Sequence, residues 1–177
     1  MNVSEGEMKT LFRRMLGASR LDAQTYEEVE ADRGSTGGAF FIVIVGSVAA
    51  AIGSGAKDFA TVASAVVLLM VTWFVWVGLT YMVGARLLPG PQTHADLGEV
   101  LRTTGFSASP GILRILGVLP AIGMPIFIGI TLWMLVSFVV AIRQALDYSS
   151  SARALAVCVL GWLIHGLLFF GFVFTVV

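Results

Sequence analysis

Apolar positions along this chain fall into long unbroken blocks separated by short polar interruptions. Four blocks stand out, at Ala39–Ala56, Phe59–Ala85, Met124–Ile142 and Ala154–Val177. A helix needs about 20 apolar residues to cross a bilayer core, so these blocks predict membrane-crossing helices. The interruptions are Lys57-Asp58, the stretch Arg86–Leu97 with Pro89, Gly90, Pro91 and His94, and a polar link running from Arg143 to Arg153. Ahead of Ala39 the pattern changes. Met8, Leu11, Phe12, Met15 and Leu16 recur at i, i+3, i+4, i+7 and i+8, one face of a short helix. Lys9, Arg13 and Arg14 lie off that stripe. Such a helix either rests on a membrane surface or packs on the protein's own cytosolic end. Thr25 and Glu28 have the spacing of a capping box for a second helix, Tyr26–Asp32. Gly34, Ser35, Gly37 and Gly38 read as a flexible joint into the first span.

The stretch from Leu101 to Gly123 is apolar but carries Arg102, Pro110 and Arg114. It is either a third crossing or a re-entrant piece. Cytosolic loops of membrane proteins carry the excess of Lys and Arg. With five crossings the arm, Arg86, Arg102, Arg143 and Arg153 share one side, and Lys57 stands alone on the other. With four, Arg143 and Arg153 change sides. The five-span arrangement is the more asymmetric. It places the N-terminus in the cytoplasm and the C-terminus outside.

Composition agrees. Of 177 residues, 57% are apolar and 12% charged, and the mean hydropathy is +0.90. A soluble domain carries about 25% charged residues, so this chain could not cover a soluble surface. One cysteine, Cys158, rules out a disulfide scaffold, and a net charge of zero gives no case for nucleic acid. Twelve of the 22 charges lie in residues 1–37. The expected organisation is therefore a polar cytosolic arm, 1–37, and a helical membrane domain, 38–177. No cleavable leader is expected, since the first apolar run begins only near Ala39.

Chemistry-bearing residues are scarce. There is no phosphate loop, catalytic carboxylate pair, metal-ligand run or nucleophile elbow, which points to a non-enzymatic protein without cofactor or metal. Arg114 is the costly residue: a mid-bilayer Arg costs about 2.5–3.5 kcal/mol on insertion scales. It is either a site for an anionic headgroup or carboxylate, or it snorkels outward past Leu119, about 7.5 Å of helix away. His165 sits in the last span as a proton-relay or ligand group, or as a neutral imidazole bonded to another helix. Cys158, seven residues earlier, shares its face; His94 belongs to the loop. Glu99 and Arg102 have i, i+3 spacing, with Asp96 three residues back. With Arg143, Asp147 and Arg153 they form either a docking surface or an ordinary solvated edge. Gly105 and Pro110, with Ser107 and Ser109 between them, predict a kink or break, and broken membrane helices line cavities or are shielded by protein. Gly46/Ala50 and Ala49/Gly53 are small-residue pairs, for packing within the chain or for a homo-oligomer. Trp73, Trp76, Trp133 and Trp162 read as packing residues rather than a binding cage.

The run Glu99-Val100-Leu101-Arg102-Thr103-Thr104-Gly105-Phe106-Ser107-Ala108-Ser109-Pro110 resembles the Gly-aromatic-Ser/Ala-x-x-Pro element that opens the third membrane segment of Yip1-domain proteins. Gly117–Gly123 is similar to that family's Pro/Gly turn before the fourth span. Leu132–Val136 with Ala141–Leu146 resembles the fourth span and its exit, and Ser151–Ala154 the start of the fifth. The resemblance covers about residues 36–177. It implies an all-α, polytopic protein of five transmembrane helices, the third one broken or kinked, with a cytosolic N-terminus. Eukaryotic relatives are linked to membrane trafficking and Rab-type GTPases. This chain lacks their Asp-Leu-Tyr-Gly-Pro element and long N-terminal region, so the resemblance does not extend to a GTPase-linked role. The compact length looks like a prokaryotic member in the plasma membrane.

The expected function is organisation of membrane lipid, or recruitment of cytosolic protein partners, at the cytosolic membrane face. The alternative is a small transporter, channel or lipid-moving protein built on the broken third span.

Overall fold

The computed structural model describes residues 5–93 and 95–176, with side chains except those of 165 and 168–176. Among the described residues seven α-helices follow one another: α1 Glu5–Ser19, α2 Ala23–Ala31, α3 Thr36–Gly53, α4 Phe59–Tyr81, α5 Leu97–Ser107, α6 Gly123–Ala145 and α7 Ser151–Val176. A 3-10 turn, Arg33–Ser35, leads into α3; a π-helical turn, Met82–Leu87, ends α4; a 3-10 segment, Ser109–Val118, follows α5. The described residues contain no strand.

Among the described residues, three stretches are long and apolar enough to cross a membrane: Arg33–Gly53, Phe59–Leu87 and Gly123–Ala145, with mean hydropathies of 2.0, 2.3 and 2.4. Their packing matches a hydrocarbon surround. Only 11% of the α4 window is buried, and Met124, Ile128, Leu132 and Val136 form an exposed i+4 row on α6. Each would be costly in water and is at home in lipid.

The stretch after α5 is broken, not kinked. α5 stops at Ser107, Ala108 caps it, and Pro110 falls at the start of the 3-10 segment, where its missing N–H leaves no bond unmade. The broken stretch runs parallel to α3 and level with it. Gly105 lies against Ala39, Gly46 faces Ala108 and Gly111, and Gly53 meets the backbone of Arg114 and Gly117. A side-chain carbon on Gly105 would stand 2.5 Å from Ala39 Cβ, so this contact requires glycine. The 3-10 segment then packs on both α3 and α6. The small residues of α3 are spent on this internal contact.

The arm is docked rather than loose. Tyr26, Val29 and Ala18 are fully buried with Ala39, Ile42, Phe106 and Ala141. The Tyr26 hydroxyl reaches both Ala18 O (3.1 Å) and Ser137 O on α6 (3.3 Å). Leu11 and Met15 turn to this core, while Met8, Phe12 and Leu16 remain exposed, so the α1 stripe divides between the protein and its outside. The expected flexible joint is instead pinned. Asp32 accepts from Arg14 Nη1 (2.6 Å), the Ser35 hydroxyl (3.0 Å) and Gly34 N (2.9 Å), and Gly37 and Gly38 are already inside α3. The Thr25–Glu28 capping box does not form. Thr25 donates to Asp22 at the N-cap (2.6 Å), and Glu28 pairs with Arg13 (2.8 Å).

Candidate functional site

Two places gather the polar residues that the sequence singles out. The first is a cleft of about 500 Å³ between the arm and the body. Glu27 and Glu30 of α2 line it from one side, Glu99 of α5 and Asp147 after α6 from the other, with Arg143 among them. Burial, then the neighbouring charges of Glu99, Asp147 and Glu27, push the Glu30 carboxyl up to about 7; Arg102 opposes that shift. Arg143 donates to Tyr148 O (3.2 Å), and Gln144 bridges to Glu27 (3.0 Å). Arg153 stands apart, its guanidinium 5.6 Å from the Tyr148 ring centre.

Glu99 and Arg102 do not pair, because each has a stronger local demand. Glu99 folds back to the Asp96 N–H (2.8 Å) while Asp96 accepts from Glu99 N (2.8 Å), a reciprocal cap on α5. Arg102 is 5% exposed and reaches across to the end of α2. Its Nε donates to Val29 O (3.2 Å) and Glu30 O (3.1 Å), and its Nη2 also donates to Glu30 O. A guanidinium suits terminal helix carbonyls, which lack intrahelical donors and carry the negative end of the helix dipole. Arg102 is thus the clasp that holds the arm.

Tyr148 is a second fastening. Its hydroxyl lies within hydrogen-bond distance of Gly84 O (2.9 Å) and Leu88 O (2.7 Å), carbonyls at the π-helical end of α4. This side chain was not singled out by the sequence.

The second place is a cavity of about 210 Å³ at mid-height in the bundle, lined by residues of α3, α4, α6, α7 and the broken stretch. Arg114 opens into it, and so do Ser47, Trp73, Trp76, Met134 and Trp162. The outward snorkelling of Arg114 is not observed. Its backbone lies beside Gly53, yet Nη2 points back to Gly46 O (3.4 Å), seven residues down α3 and about 10 Å along the helix. The 3-10 geometry is the reason. At three residues per turn, Ala108, Gly111, Arg114 and Gly117 fall in one row, and that row runs along the seam between α3 and α6. The other contacts of Arg114 are Nε to Gly111 O (3.4 Å) and the Phe127 ring, 5.7 Å away. No described carboxylate pairs with it.

Trp73 and Trp76 were read as packing residues, and their rings do pack: Trp73 on Phe40 (5.7 Å between centres), Trp76 on Phe138. Their indole N–H groups, however, are buried without a partner. Their i, i+3 spacing on one helix is a signal available in the sequence. Trp133 lies elsewhere, donating to Ser19 O at the end of α1 (2.9 Å). His94 lies outside the described residues, as does the side chain of His165, although its backbone belongs to α7. Cys158 is buried, and the described residues contain no cluster of metal-ligand type.

A helical bundle with apolar outer faces, three stretches able to cross a bilayer and a docked polar arm together define an integral membrane protein of the all-α class. The chain matches the Yip1 domain over residues 20–173 and belongs to that family. No curated protein and no solved structure matches it.

Proposed function

We propose that this is a non-enzymatic membrane protein that recruits a cationic partner segment at the cytosolic face, through the acidic cleft shared by arm and body. One observation carries this reading: four carboxylates from three separate parts of the chain line one open cleft, and among the described residues Arg143 is the one cation that lines it. Complementary charge gives selectivity and faster encounter, which suits recruitment better than chemistry. In this reading the chain crosses the plasma membrane five times, the broken stretch being the third crossing. The parallel register with α3 and the Lys/Arg asymmetry support that topology, with the N-terminus in the cytoplasm. The exposed row Met8, Phe12 and Leu16 then lies in the lipid interface beside the cleft.

The test is a photocrosslinker at Gln92, on the rim of the cleft, in the full-length protein in native membranes. The wild type is expected to capture a defined partner set that the Glu27→Lys, Asp147→Lys variant loses. An unchanged set in the charge-reversed variant removes the reading. A transporter or lipid-moving role draws on the cavity behind the broken stretch; liposome flux equal with and without the protein removes that one.

A further inference from the structure

The residues that line the mid-bundle cavity include hydrogen-bond donors without good acceptors. The Trp73 and Trp76 indole N–H groups are buried and unpartnered. Arg114 adds a guanidinium with five N–H donors, and its two carbonyl contacts are both at 3.4 Å, the long limit for such bonds. Ser47 is on the same wall, but its hydroxyl is already given to Val43 O (2.7 Å). The rest of the lining is chiefly apolar. An indole N–H can only donate, and a guanidinium cannot accept. The complement to such a set is a group that only accepts and carries negative charge.

Arg114 also had an alternative. Its backbone is level with the end of α3, within a side chain's reach of the bundle's far end, and it turns inward instead. Charged groups inside a membrane face the bundle interior and mark ligand pathways or find partners. No carboxylate of the described residues is that partner. The space, about 210 Å³, has room for an anionic group and a few methylenes. Trp162 is half-exposed on the outer face of α7 while lining the same cavity, which provides a way in from the lipid side for a chain attached to that group.

We infer that this cavity is a binding site for the anionic end of a single amphiphile, a carboxylate or phosphate monoester held by Arg114, Trp73 and Trp76, with its acyl chain leaving past Trp162. The inference stands apart from partner recruitment at the cleft; binding here requires neither a protein partner nor passage across the membrane.

The experiment uses the full-length protein, delipidated in detergent, and native mass spectrometry. Oleate and dioleoyl phosphatidic acid are the two anionic probes; oleyl alcohol and dioleoyl phosphatidylcholine are the uncharged and zwitterionic controls. One bound anionic probe per chain is expected, with affinity at least about tenfold above its control. Preference for oleate names a carboxylate source, and preference for phosphatidic acid a phosphate source. Arg114→Gln is expected to erase the difference between probe and control. Trp73→Phe with Trp76→Phe keeps an aromatic ring at each position while removing the N–H donors and part of the indole volume, and is expected to weaken binding severalfold. That pair decides the matter should Arg114→Gln fail to fold. Equal binding of controls and probes, or unchanged affinity in the Trp-to-Phe pair, overturns the site.

Discussion

Arg102→Met is the sharpest perturbation of the arm clasp. Methionine keeps much of the buried stem and removes the guanidinium. Val29 O, on a fully buried residue, and Glu30 O, on a half-buried one, then lose the donors at 3.1–3.2 Å and the Nη2 contact. Each orphaned carbonyl costs about 1–3 kcal/mol, and relief of guanidinium desolvation returns part of the sum. A net loss of about 2–4 kcal/mol in arm docking is expected. At tenfold per 1.4 kcal/mol, the undocked population rises about 30- to 1000-fold. Trypsin reads this at the bond after Arg20, in the α1–α2 corner where Leu21 takes φ 64°. Where reclosing outpaces cleavage, the cutting rate follows the open population. Arg102→Lys retains the charge but offers a point donor for two carbonyls and is expected to fall between. Arg13→Ala removes only a more exposed ion pair of 2.8 Å and should leave the cutting rate close to that of the wild type. If Arg102→Met is folded and is cut at Arg20 within about twofold of the wild-type rate, the clasp assignment is wrong, since 2 kcal/mol cannot leave the open population unchanged.

Three further outcomes follow from the same geometry. Glu30 has its carboxyl raised from 4.5 to about 7 in the folded protein, so the folded state holds its proton more tightly than the unfolded chain. Its stabilisation is therefore complete below the unfolded value and is lost as pH rises towards 7; thermal midpoints from pH 5 to 8 should fall in the wild type and flatten in Glu30→Gln. Gly105→Ala places a methyl against the Ala39 backbone, 3.0 Å from its Cα, and is expected to destabilise by about 1–3 kcal/mol despite the better helix propensity, read as a lower thermal midpoint. Tyr148→Phe leaves the Gly84 and Leu88 carbonyls without their hydroxyl partner and should lower the midpoint by the equivalent of about 1–2 kcal/mol, with no change in helix content by circular dichroism.

What was legible in the sequence is what one period reports. Apolar blocks set by hydrophobicity alone gave helices close to their observed bounds: Ala39–Ala56 against Thr36–Gly53, Phe59–Ala85 against Phe59–Tyr81, Met124–Ile142 against Gly123–Ala145. The break at Pro110 was legible because proline acts locally. Polar partners were not, because they depend on which elements meet. Glu99 and Arg102 have the spacing of a helical pair, but Asp96 is nearer to Glu99's need, and the end of α2, about 70 residues away, is where Arg102 satisfies its own. Thr25 and Glu28 failed as a cap for the same reason: Asp22 and Arg13 compete for them. The joint at Gly34–Gly38 looked flexible by composition, and Asp32 fixes it through three bonds that composition does not report.

Arg114 shows how much the helical period decides between the two directions open to it. From Ala108 to Arg114 an α-helix turns through six steps of about 100°, which takes Arg114 well off the face of Ala108. Read that way, Arg114 leaves the glycine row and snorkelling is the natural fate. In a 3-10 segment the same six residues make two whole turns, and Arg114 returns to the row of Ala108, Gly111 and Gly117 that lies along the seam between α3 and α6. Leu113, Leu116 and Leu119, one step earlier in each turn or just beyond its end, take the exposed side. The glycines at 111 and 117 and the apolar residues at 113, 116 and 119 already carry this spacing of three. Once Pro110 signals that the α-helix ends, that spacing assigns Arg114 to the interior without reference to any side-chain position. The inward direction of Arg114, into the cavity it lines, is therefore a property of the backbone period.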